Sequence, residues 1–96
     1  MRLARILLGW DEMSIQEVKV YVGVDVASKH LDLFDPIAGK SERIKNDVQA
    51  IEKLCARWNG VPNVVFVMEA SGGYESLLVS KLASAHLGCA VVNARR

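Results

Sequence analysis

Residues 19–26 alternate. Val20, Val22, Val24 and Val26 fall on one side, and Tyr21, Gly23 and Asp25 on the other. A two-residue period is the signature of a strand, and apolar content on both sides marks a central strand rather than an edge. His30-Leu31-Asp32-Leu33-Phe34-Asp35 predicts a second strand, and the short gap between the two runs predicts an antiparallel hairpin. Asp35-Pro36-Ile37-Ala38-Gly39 has the chemistry of a turn, so residues 40–45 return as a third, more polar edge strand.

The period then changes. Val48, Ile51, Cys55 and Trp58 lie on one helical stripe with Leu54 beside them; Asn46 or Asp47 caps the start and Asn59-Gly60 closes the end. Residues 61–69 are β-branched and apolar on both faces, which predicts a fourth, buried strand. Ser71-Gly72-Gly73 links it to a second helix with a stripe of Tyr74, Leu77, Leu78, Leu82 and Ala85. Gly88 stops that helix, and residues 89–92 form a fifth strand.

The order β-β-β-α-β-α-β predicts an α/β domain with a mixed five-stranded sheet. Right-handed crossovers place the fourth strand parallel to the first and beside it. Asp25 and Glu69 then stand at the same ends of neighbouring strands. Ligand sites of open α/β sheets favour that edge. A carboxylate at the end of a central strand is costly to desolvate without a partner, and two of them together point to a shared cation.

The 96 residues suffice for one domain, and 51% apolar content supports a packed core rather than disorder. A formal charge of +1 carries no nucleic-acid signature by itself, so any DNA contact rests on local groups such as Arg95 and Arg96. Cys55 and Cys89 form no CxxC pair, which fits reduced thiols in a cytoplasmic protein better than a disulfide. No apolar run approaches the roughly 18 residues of a membrane span. Within residues 1–17, Leu3, Ile6, Leu7 and Trp10 follow helical spacing. They fit either a short amphipathic helix or a leader ahead of a natural start at Met13; residues 18–96 hold the domain.

The motifs are more specific than the pattern. Val22-Gly23-Val24-Asp25-Val26-Ala27-Ser28-Lys29, followed by Met68-Glu69-Ala70-Ser71-Gly72-Gly73-Tyr74-Glu75, resembles the N-terminal region of the DEDD transposases of bacterial insertion sequences, the group related to the Piv DNA invertase. Val91-Val92-Asn93-Ala94-Arg95 resembles that family's next block, with Ala94 in place of its proline. The resemblance covers residues 20–96. It implies an RNase H-like, RuvC-like catalytic domain that binds Mg²⁺ or Mn²⁺ and cleaves and transfers DNA strands, in some members with a guide RNA. The family's first two acids map onto Asp25 and Glu69; its last two lie downstream of the Asn-Pro-basic block, so the sequence is expected to end before them and before the C-terminal domain with its serine nucleophile. A noncatalytic remnant of a transposase gene is the alternative. An actin-like ATPase or sugar-kinase fragment also opens on a glycine and an aspartate, but Val26-Ala27-Ser28 lacks the phosphate-loop glycine.

Phosphodiester chemistry calls for an activated oxygen nucleophile and relief of charge on the phosphate, which two Mg²⁺ ions about 4 Å apart supply. Asp25, held by a central strand, is the candidate bridging ligand and Glu69 the ligand to one ion. Two carboxylates alone bind Mg²⁺ weakly, so the isolated chain is expected to lack useful nuclease activity. Ser71, Gly72 and Gly73 could bring backbone N–H groups to a phosphate, although a compact turn capped by Ser71 is the simpler assignment. Tyr74 could stack on a nucleotide, Lys29 could reach a phosphate, and Arg95 and Arg96 could follow a nucleic-acid backbone; each also has an ordinary surface or packing role. Asp32 and Asp35 are expected to face opposite sides of the second strand in surface roles. His30 and His86 suggest no zinc site. An apolar sheet face left bare would also serve as a homo-oligomer surface.

Overall fold

A computed structural model describes residues 19–93. Strands β1 (Val20–Val26), β2 (His30–Asp35) and β3 (Lys40–Lys45) are followed by helix α1 (Val48–Trp58), strand β4 (Val64–Glu69), helix α2 (Ser76–Ser84) and strand β5 (Gly88–Val92). The sheet order is β3-β2-β1-β4-β5. The β1–β2 and β2–β3 pairs are antiparallel, and the β1–β4 and β4–β5 pairs parallel. The α/β class, the mixed five-stranded sheet and the place of β4 beside β1 therefore match the sequence pattern. The assumed leader helix, the natural start, and Arg95 and Arg96 lie outside the described residues.

Both helices cover the same sheet face. Val22 and Val24 of β1, Leu31 and Leu33 of β2, and Val64, Phe66 and Met68 of β4 are buried against Ile51, Leu54, Cys55 and Trp58 of α1 and Leu78 and Leu82 of α2. Phe66 is fully buried and meets Trp58 edge to face, with ring centroids 5.7 Å apart. That geometry sets the positive edge of one ring against the negative face of the other. Lys81 to Glu52 (2.8 Å) ties the helices together, and Arg57 to Glu42 (2.8 Å) ties α1 to β3. No described helix lies on the opposite face, so Tyr21 and Phe34 remain exposed there.

Of the two expected caps for α1 it is Asp47, with extended backbone, that accepts from the Ala50 N–H (2.9 Å), leaving Asn46 for other contacts. Several other details differ from the pattern, each for a local reason. Val48 points outward, at 44% exposure, and is not part of the buried stripe. β4 starts at Val64 rather than 61, because Asn63 takes a left-handed conformation (φ 59°) after Pro62. Helix α2 starts at Ser76, so Tyr74 sits in the preceding turn at 55% exposure instead of opening the stripe. The left-handed residue after α2 is His86 (φ 60°), while Gly88 is already in β5. Gly88 is required by close approach: a Cβ there would lie 2.7 Å from the Val64 carbonyl oxygen.

Candidate functional site

Chain alternation and sheet register together build the site. Along β1 and β4 the buried positions are Val22, Val24, Phe66 and Met68, so Asp25 and Glu69 point to the face without helices. The β1–β4 ladder ends at Val24 opposite Met68. One step further along both strands stand Asp25 and Glu69, level with each other at the same ends of the two parallel strands. Both are exposed and both line an open depression of about 620 Å³ that also includes Gly23, Asp32, Val67 and Ser71.

The row extends across the whole sheet. Asp25 is opposite Asp32 on β2, Asp32 is opposite Arg43 on β3, and Glu69 is opposite Val92 on β5. Asp32 therefore joins the acid-bearing face, a neighbour that strand alternation in one segment does not reveal; it needs the hairpin register. Its carboxylate is engaged by Arg43, with Nε to Oδ1 at 2.8 Å and Nη2 to Oδ2 at 3.1 Å. The Arg43 hydrogen bonds hold the Asp32 carboxyl below its ordinary value and push Arg43 further up. Asp32 is thus paired with Arg43 while lining the same depression as Asp25 and Glu69, and no group of three or more acidic, histidine or cysteine side chains converges as a metal cage among the described residues. Asp35 on the same strand instead caps its turn, accepting from the N–H groups of Ile37 (2.9 Å) and Ala38 (3.1 Å).

The Ser71-Gly72-Gly73 turn follows Glu69. Gly72 and Gly73 take positive φ angles of 71° and 106°, conformations that a side chain resists. The Ser71 N–H donates to Glu75 Oε1 at 2.9 Å, the Ser71 hydroxyl donates to the same oxygen at 2.7 Å, and the Gly73 N–H reaches it at 3.2 Å. These bonds, led by the Ser71 hydroxyl, hold the Glu75 carboxyl down to about 2. The cap of α2 is Glu75, not Ser71, and the turn's N–H groups are engaged by the chain's own carboxylate. The glutamate at position 75 was legible as part of the motif, but its bonds back to Ser71 and Gly73 were not.

Lys29 lies in the β1–β2 turn and lines a separate depression of about 330 Å³ with Ser28, His30 and Lys45. Cys55 and Cys89 are free thiols, and burial pushes both up from their ordinary value. No described helix is long and apolar enough to cross a membrane. Compared with protein-family models and with curated proteins, the chain matches no family and no individual protein.

Proposed function

We propose that this chain is the N-terminal part of an RNase H-like catalytic domain of the DEDD transposase type, whose complete form cleaves and transfers DNA strands with divalent metal. One observation carries the proposal: Asp25 and Glu69 are brought level on one open face, at the same ends of two parallel strands, by a β1–β4 register running up to Val24 and Met68. The motifs around those two acids support it independently of the geometry.

The donor set fits a hydrated Mg²⁺ or Mn²⁺. Carboxylate oxygens are hard ligands, both side chains are exposed, and Mg²⁺ keeps several waters. Asp25 and Glu69 would hold the ion, which supplies charge relief at a scissile phosphate and lowers the pKa of a bound water. The chain's own part is to fix two carboxylates on a rigid sheet and leave the face above them open to an extended substrate. The Asp32 carboxylate is already engaged by Arg43, so Asp25 and Glu69 are the two carboxylates offered to the ion, and the isolated chain binds it weakly.

Calorimetric titration of MnCl₂ into the purified chain tests this. Weak binding that disappears in both Asp25→Asn and Glu69→Gln is the expected result. Equal binding by wild type and both variants would remove the metal assignment. Robust Mg²⁺-dependent DNA cleavage by the isolated chain, lost in Asp25→Ala, would show that two carboxylates are enough and overturn the incomplete-site account.

A further inference from the structure

The acid pair lies just past the part of the sheet that holds it. The β1–β4 ladder stops at Val24 and Met68, so the ends bearing Asp25 and Glu69 are not joined by that ladder. On the outer sides they are better held: Asp25 faces Asp32, and the N–H of Ala70 donates to the Val92 carbonyl at 2.9 Å. Beyond the ladder, a side chain from a third element bonds to the turns that follow both strands.

That side chain is Asn46, between β3 and α1. Its Nδ2 donates to the carbonyl of Ala27 at 2.9 Å and to the carbonyl of Tyr74 at 3.0 Å. Ala27 is in the turn that leaves β1 after Asp25, and Tyr74 is in the turn that leaves β4 after Glu69. The Asn46 backbone N–H adds a bond to the Lys29 carbonyl at 3.0 Å, fixing the residue against the first turn. Each turn is also closed internally, by Ala27 N–H to the His30 carbonyl (2.9 Å) and Ser76 N–H to the Gly73 carbonyl (3.0 Å).

The chemistry is specific to a carboxamide. Two carbonyl oxygens are both acceptors, and a single NH₂ group carries two donors. An aspartate of the same shape would set oxygen against both carbonyls. Asn46 Oδ1 is buried and has no hydrogen-bond partner among the described residues. A buried acceptor without a donor is unfavourable, so the amide is oriented by what its nitrogen holds. Sequence pattern gives no hint of this, because an Asn next to a helix start reads first as a cap.

We propose that Asn46 is a positioning residue for the acid pair: by bonding both exit turns it sets the spacing at which Asp25 and Glu69 share a cation. This rests on the cation assignment of that pair, and the two are tested separately. In the wild-type chain, NMR should show slowly exchanging Asn46 side-chain protons with scalar couplings across the hydrogen bonds to the carbonyl carbons of Ala27 and Tyr74. Rapid exchange without either coupling overturns the tie with no variant needed. In Asn46→Asp, amide exchange at Ala27 and Ser76 should accelerate about tenfold while that of the paired β1 and β4 residues stays within about twofold. Mn²⁺ affinity should fall about tenfold, the scale of losing an outer-shell support. Uniform acceleration of all amides, or unchanged Mn²⁺ affinity, overturns the positioning role. Asn46→Ala is read by the same criteria if the aspartate variant does not fold. If the wild-type chain takes up no Mn²⁺, the positioning role falls with the cation assignment, whereas couplings to both carbonyls would still establish the tie.

Discussion

Gly88→Ala tests how β5 is seated beside the acid-bearing strand. A methyl group there would lie 2.7 Å from the Val64 carbonyl oxygen, 3.2 Å from Val65 Cγ2 and 3.4 Å from Val65 Cα. Two of these three atoms are backbone, which cannot rotate away as a long side chain can. Relief requires the start of β5 to move off β4, loosening the Val65–Gly88 and Phe66–Cys89 pairs. Overpacking of this kind costs about 1–3 kcal/mol. Against it stands a gain of about 0.4–1 kcal/mol from restricting the unfolded chain. The net expectation is a loss of about 1–2 kcal/mol, or a urea midpoint lower by about 1–2 M at a slope near 1 kcal/mol per M. Gly23→Ala is the matched control: it is also in a strand, yet nothing lies within 4 Å of its Cβ position. That variant should be neutral or more stable by about 0.5–1 kcal/mol. Urea denaturation of the full chain followed by far-UV circular dichroism reads both. A Gly88→Ala variant as stable as wild type, or a Gly23→Ala variant losing as much as Gly88→Ala, would refute the assigned β4–β5 approach.

Phe66→Ala empties the centre of the core and removes the edge-to-face contact with Trp58; thermal or urea unfolding should show a loss of about 3–5 kcal/mol. Glu75 is held down to about 2, so its folded value lies below its unfolded one; its stabilising contribution is complete above the ordinary glutamate range and is lost as pH falls from about 4.5 toward 2. Melting temperatures of wild type and Glu75→Gln should therefore differ by a constant amount at neutral pH and converge in that acid window. A Glu75→Gln deficit that persists unchanged at pH 2 would contradict the Ser71–Glu75 network. Arg43→Ala should release the Asp32 carboxylate toward Asp25 and strengthen Mn²⁺ binding, read by calorimetry, with little change in melting temperature because the pair is exposed.

The strands and helices were legible because their periods are clean. Val22 and Val24 in β1 and Val64, Phe66 and Met68 in β4 alternate without interruption, and Ile51, Leu54, Cys55 and Trp58 repeat at helical spacing. The opposition of Asp25 and Glu69 followed from topology, since a crossover between parallel neighbours leaves little choice of end. What escaped the pattern depends on single dihedral angles or on pairing between distant segments. Asn63 and His86 in left-handed conformations moved the start of β4 and the exit from α2. Tyr74 left its assumed stripe because α2 begins at Ser76, with Glu75 rather than Ser71 as its cap. Asp32 entered the acid row only through the Asp25–Asp32 register, and Arg43 reached it only through the next pairing. Asn46 was invisible as a tie because its partners are backbone carbonyls, which sequence does not distinguish.

The central claim is that Asp25 and Glu69 hold one divalent ion between them. Paramagnetic broadening of backbone amides by substoichiometric Mn²⁺ tests it most directly. The account expects loss of signal centred on Asp25, Val26, Glu69 and Ala70, abolished by Asp25→Asn. Broadening centred elsewhere, for example on Asp35 or Glu42, or none at any Mn²⁺ level, would contradict it.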